Sequence, residues 1–204
     1  MVNNDCPNWK FFNPKGEIEV SGDSLPHWQQ GRVVQFVTFR LGDSLPLSKL
    51  RELEDKHQKL LPVGDSGQRD ALWDPFAMEV NAWLDRGFGS CLLREPGNRI
   101  ELERTFLNDE GKRVRFVCWS ILPNHVHALF EPLVPLQRLL QSWKSISAHR
   151  IGKGAIWQSG YYDRMARNMN DLVAFARYIL NNPKGLPDGS YSLWQCDWLR
   201  RILG

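Results

Sequence analysis

The spacing of apolar residues changes period along the chain, and each change marks an element. Residues 33–41, Val-Val-Gln-Phe-Val-Thr-Phe-Arg-Leu, are rich in β-branched and aromatic side chains and predict a buried strand. Leu50, Leu53, His57, Leu60 and Leu61 then recur at helical spacing, with His57 a core or edge residue of that stripe. Pro-Val-Gly-Asp-Ser-Gly at 62–67 interrupts the pattern, and a second helix carries Phe76, Val80, Trp83 and Leu84. A short strand is predicted at 91–94 and a helix at 100–107. Two adjacent strands follow at 114–121 and 125–131, separated by Pro-Asn. Leu136, Leu139, Leu140, Trp143 and Ile146 form another helical stripe, residues 155–162 predict a strand, and residues 172–181 a last helix. This order predicts an α+β domain in which an antiparallel sheet is flanked by helices.

Before that domain, residues 1–31 are polar, with Asn, Gly and Pro around Trp9, Phe11, Phe12 and Trp28, and read as an extension packed loosely at best. The domain itself is expected over 32–186, followed by a tail at 187–204. A length of 204 residues with 42% hydrophobic content suits one such domain. Cys6, Cys91, Cys118 and Cys196 lack the close spacing of a zinc knuckle or redox pair and read as reduced thiols. No apolar run approaches the roughly 20 residues that cross a bilayer, and the start lacks a basic-then-apolar leader, so a cytoplasmic protein is expected.

Charge adds an asymmetry that composition hides. Residues 138–201 hold ten Lys or Arg against four Asp, and residues 1–137 hold sixteen against nineteen carboxylates. A C-terminal third at +6 beside a remainder at −3 suits a polyanionic partner, or equally a solvated basic face.

Two sites carry candidate chemistry. His125 and His127 alternate with Val126 on a strand, so both imidazoles share one face, with about 7 Å between strand positions two apart. Spacing alone leaves two readings, a divalent-metal clamp with open positions or two polar residues on a solvent-facing strand. On the last helix, Leu172, Val173, Ala176, Ile179 and Leu180 cluster on one side, with Asp171, Phe175, Tyr178 and Asn182 roughly opposite. Tyr178 thus shares a face with Asn182, four residues on, and Asn182-Pro183 stops the helix. A tyrosine packed at a surface fits that position too.

Further motifs join these. His27-Trp28, Phe36-Val-Thr-Phe-Arg-Leu, Leu122-Pro-Asn-His-Val-His, Ser142-Trp-Lys-Ser, Trp157-Gln, Tyr162-Asp-Arg, Arg167-Asn and Tyr178-Ile-Leu-Asn-Asn-Pro occur in this order over residues 26–185. Together they resemble the REP-associated tyrosine transposases, the single-tyrosine branch of the HUH endonucleases. The resemblance implies a ferredoxin-like, RNA-recognition-like sheet, a Mg²⁺ or Mn²⁺ ion held by His125, His127 and Asn182, and Tyr178 as nucleophile. It further implies cleavage and rejoining of single-stranded DNA beside hairpins of repetitive extragenic palindromes, through a 5′-phosphotyrosine. A nucleoid-associated protein is then expected, monomeric or a homodimer with the tyrosine supplied in trans. Aromatic and basic residues of the second half, Trp143, Lys144, Arg150, Lys153, Arg164 and Arg167, are the candidate DNA contacts.

The chain departs from relatives after Pro183, where Lys184-Gly185-Leu186 replaces a longer Val-Lys-Ala-Gly-Leu stretch, and at Leu122, commonly Met. The competing reading is a non-catalytic nucleic-acid-binding module or repressor on the same sheet. A zinc hydrolase would need a third strong ligand and a carboxylate base, and no helical His-Glu-x-x-His is present.

Overall fold

The structure is a computed structural model and describes residues 6–21, 27–58 and 75–204. The side chain of His57, Leu60 and Leu61, the break at 62–67 and the first five residues lie outside the described residues.

Among the described residues, seven strands and six α-helices run in the order β1 (Glu19–Ser21), β2 (His27–Gln29), β3 (Gln35–Arg40), α1 (Leu47–Gln58), α2 (Pro75–Leu84), α3 (Pro96–Asp109), β4 (Val114–Ile121), β5 (His125–Pro132), α4 (Leu136–Ile151), β6 (Tyr162–Met165), α5 (Met169–Asn181), β7 (Ser192–Gln195) and α6 (Asp197–Leu203). β1 and β2 form a separate hairpin, and the other five strands form one sheet in the order β6-β3-β5-β4-β7. Every pairing in that sheet is antiparallel. The mixed α+β class expected from the sequence is the class observed.

Alternation along the central strands divides the core in two. Val37, Phe39, Val126, Ala128 and Phe130 face Leu102 and Phe106 of α3 and Leu139, Leu140 and Trp143 of α4. Phe36, Cys118 and Leu129 face Leu172, Phe175, Ala176 and Ile179 of α5 and Trp198 and Leu199 of α6. Because β5 has a period of two, His125 and His127 share the Leu129 face, and α5 lies over that face. Each large apolar side chain fully buried in these layers stabilises the fold by about 1.5–3 kcal/mol. The sheet therefore fixes the histidines, and the core face of α5 fixes what lies above them.

α5 starts at an N-cap, where the Asn168 side chain accepts from the Asp171 amide at 3.0 Å. It ends at Asn181, yet Asn182 keeps helical dihedrals of φ −60 and ψ −39 although proline follows. That conformation holds the Asn182 side chain one turn beyond Tyr178.

Four expectations are corrected. Residues 91–94 form a 3₁₀ turn over Leu92–Arg94, because Cys91 enters it in the left-handed region at φ 49, which no strand accommodates. Residues 155–162 make one isolated bridge, Leu41 to Trp157, and the strand starts at Tyr162. Gly152, Gly154 and Gly160, all at positive φ, turn the chain away from extended pairing. The supposed loose extension is anchored instead. Trp9 is buried edge-on to Trp198, with the Arg115 guanidinium 4.1 Å over its ring. The Val34 amide donates to the Lys10 carbonyl at 2.8 Å, and His27 Nδ1 contacts Asp163 Oδ1 at 2.6 Å. The supposed tail supplies β7, paired to β4, and α6, which buries Trp198 and Leu199. In both termini a few aromatic anchors outweigh the polar composition around them.

Candidate active site

His125 and His127 are buried, 1% and 0% exposed, which removes the solvent-facing reading. Arg40 lies across from His125 on β3, and Thr38 and Ser120 flank His127 from either side. The two Nε2 atoms are 3.1 Å apart, so the side chains converge well inside the 7 Å expected from strand spacing.

Hydrogen bonding fixes the first imidazole. Asn124 Nδ2 donates to the carbonyls of Leu84 and Phe88, both at 3.1 Å, which turns its Oδ1 toward His125 Nδ1 at 2.7 Å. Oδ1 only accepts, so His125 carries its proton on Nδ1 and presents a bare lone pair at Nε2. His127 Nδ1 meets the Thr38 hydroxyl at 2.7 Å, a group that can donate or accept. Burial pushes the His125 pKa down to about 3. Burial, then the neighbouring His125, hold His127 well below its ordinary value. Both rings are thus neutral near pH 7, the state in which imidazole binds metals.

Tyr178 lies above this pair in the same chain. Its ring centroid is 5.2 Å from that of His127 at 70°, and 6.0 Å from that of Phe36. The helical phase needs correction. The buried face of α5 comprises Asp171, Leu172, Phe175, Ala176 and Ile179. Phe175 stacks on Phe36 at 4.9 Å rather than facing away from the core. Tyr178 and Asn182 therefore flank the core face instead of opposing it, and that flank overhangs the histidines. Burial, and then the Asp85 charge, raise the Tyr178 pKa above its ordinary value, while donation from the Asn182 and Asn81 side chains works the other way.

Two of these groups escaped the sequence reading. Asn81, buried on α2, reaches Tyr178, and Asp85, one turn further on, stands with Oδ1 3.6 Å from His125 Nε2. Asp85 is half-exposed, and partial burial raises its pKa to about 6 against donation from the Asn182 amide. A buried polar residue within the apolar run Phe-Ala-Met-Glu-Val-Asn-Ala-Trp-Leu was the available signal for Asn81; Asp85 had none.

The donor set suits a divalent cation. Asn182 directs its amide N–H groups at Asp85 and Tyr178, and its buried Oδ1 finds no hydrogen-bond partner among the described residues. Together with two neutral imidazoles, an unsatisfied amide oxygen is what a metal ion would complete. Among the described residues, no group of three His, Cys, Asp or Glu is arranged as a metal cluster.

The candidate DNA contacts divide. Trp143 is fully buried in the α3 and α4 layer, its Nε1 donating to Asp109 Oδ2 at 2.9 Å, so no base can stack on it. Lys144 donates to the carbonyls of Gln158 and Gly160 and braces that loop; burial lowers its pKa to about 8. Arg167 binds Asp171, Nε to Oδ2 at 2.6 Å, and secures the start of α5. Arg150 is exposed with Glu101 at 3.9 Å, Lys153 is exposed, and Arg164 is half-buried on β6.

No protein-family model matches the chain, and no curated protein matches it in sequence. A solved structure described as the REP-associated tyrosine transposase bound to a REP hairpin is similar, with 16% identity over 79% of this chain and 73% of that one, at a TM-score of 0.46. A likeness at that level does not assign a family. No described helix is long and apolar enough to cross a membrane.

Proposed function

We propose that this chain is a single-tyrosine DNA endonuclease and strand transferase of the HUH kind, acting on single-stranded DNA beside a hairpin. The observation that supports the reading is the closeness of the two His Nε2 atoms, 3.1 Å apart, with the Tyr178 ring against His127 and the Asn182 side chain beside Tyr178. The motifs that resemble REP-associated tyrosine transposases supply the same four residues. Support also comes from topology, since β3, helices, β4, β5, α4 and β6 follow the β-α-β-β-α-β order of a ferredoxin-like sheet.

His125, His127 and Asn182 would hold Mg²⁺ or Mn²⁺, which when bound offsets charge on the scissile phosphate. The residues of the chain do the rest. Tyr178 Oη attacks phosphorus, the bond to the 3′ oxygen breaks, and the proton lost from the phenol is matched by one gained at the departing 3′-hydroxyl. A 5′-phosphotyrosine results, and a second 3′-hydroxyl reverses the step and joins strands without ATP. Without a bound ion the phenol is held above its ordinary pKa, so its proton has to be taken up as it attacks phosphorus or before. Asn81 and Asn182 point the phenol oxygen by donating to it. Lys153 and Arg150, exposed just beyond and at the end of α4, offer phosphate contacts.

Incubating the protein with hairpin-bearing single-stranded DNA and Mn²⁺ tests this reading. A covalent adduct is expected, lost in Tyr178→Phe. Binding without an adduct on any strand favours the non-catalytic module instead.

A further inference from the structure

Asp85 belongs to none of the motifs above, yet it faces the histidine pair. We propose that Asp85 is a ligand of the divalent cation at the His125 and His127 site, the anionic donor that this site otherwise lacks. The inference rests on the metal-dependent reading given above.

Charge is the first reason. His125, His127 and Asn182 are all neutral donors, whereas hard divalent ions such as Mg²⁺ and Mn²⁺ prefer carboxylate oxygen, and affinity rises with ligand charge. Geometry is the second. Adjacent donors on an octahedral ion with bonds of about 2.1 Å stand about 3.0 Å apart. The two Nε2 atoms are 3.1 Å apart, and Asp85 Oδ1 is 3.6 Å from His125 Nε2. As they stand, Asp85, His125 and His127 are not drawn together as a three-ligand cluster; the half-exposed Asp85 side chain, in the turn after α2, would rotate toward the ion to complete one. Asn182 is the third reason. Its amide donates to Asp85 while its buried Oδ1 has no hydrogen-bond partner among the described residues, so one side chain both holds the carboxylate and presents an oxygen. Among the described residues no Lys or Arg pairs with Asp85, and the His125 ring beside it is neutral, so its charge is not offset.

The site is also built to keep Asp85 there. Asn124 ties the end of α2 to the hairpin through the Leu84 and Phe88 carbonyls and orients His125 with the same side chain. Movement of the Asp85 turn and tilting of the His125 ring are thereby linked.

The test titrates the full chain, without DNA, with Mn²⁺ followed by electron paramagnetic resonance, comparing wild type, Asp85→Asn, Asp85→Ala and His125→Ala. Circular dichroism establishes that each variant is folded, and Asp85→Glu serves as the conservative variant. Loss of the carboxylate should weaken Mn²⁺ binding by about ten-fold or more. Water-proton relaxivity per bound Mn²⁺ should rise, because a water takes the vacated position, and Asp85→Glu should restore much of the affinity. Wild-type affinity and relaxivity in both Asp85→Asn and Asp85→Ala would overturn the inference and leave the metal-dependent reading intact. No Mn²⁺ binding by the wild type, or none lost in His125→Ala, would overturn that reading and this inference with it.

Discussion

Burying two neutral imidazoles makes the metal-free protein sensitive to acid, and His125 allows the effect to be sized. The unfolded chain takes up a proton at this residue near pH 6.5, the folded chain only near 3. Between those values the unfolded state holds more protons, so stability is full above about 6.5 and falls as pH drops through the window. At 1.36 kcal/mol per unit, the whole window is worth a few kcal/mol, and the step from pH 7 to 4.5 about 2–3 kcal/mol. His127 acts in the same direction. Asp85, whose pKa is raised, acts in the opposite direction between about 3.8 and 6. It is present in both proteins of the comparison and largely cancels. Urea unfolding in EDTA, followed by the fluorescence of the nine tryptophans, should be compared between wild type and His125→Gln at pH 7 and 4.5. Wild type should lose about 2–3 kcal/mol more than the variant over that step. Parallel losses, within about 0.5 kcal/mol, would refute the claim that His125 is held neutral by burial.

Gly89 has φ +85, and a Cβ there would overlap the Asp43 carbonyl, so Gly89→Ala should cost about 2 kcal/mol or more in urea unfolding. The same variant should weaken Mn²⁺ binding, because the neighbouring Phe88 carbonyl holds the Asn124 side chain that orients His125. Trp143→Ala should cost about 3–5 kcal/mol in the same assay, as expected of a fully buried indole rather than a DNA-stacking platform.

The parts of the fold visible in the sequence are those governed by local periodicity. β3, β4 and β5 announce themselves through β-branched and aromatic runs, and α4 through its leucine stripe. The phase of α5 departs from its sequence pattern because aliphatic residues alone do not define its core face. Phe175 completes that face by stacking on Phe36, and Asp171 is buried there beside Arg167. The histidine pair and Tyr178 were recognisable from motifs, but their convergence follows from which face of β5 α5 covers, a matter of tertiary packing. Asp85 and Asn81 were invisible for the same reason. Some forty residues separate them from His125, and contacts such as those from Asn124 to the Leu84 and Phe88 carbonyls join the two segments. Lys144 and Arg167 read as DNA contacts because sequence cannot distinguish a free cation from one bound to a carbonyl or an aspartate.

The most direct measurement is to locate the covalent bond itself. The protein should be reacted with hairpin-bearing single-stranded DNA and Mn²⁺, digested with nuclease and protease, and the peptides sequenced by mass spectrometry. A nucleotide phosphate on Tyr178, absent in EDTA and in His127→Ala, is the predicted result. A phosphate on another residue, or an adduct of equal yield in EDTA, would contradict the account.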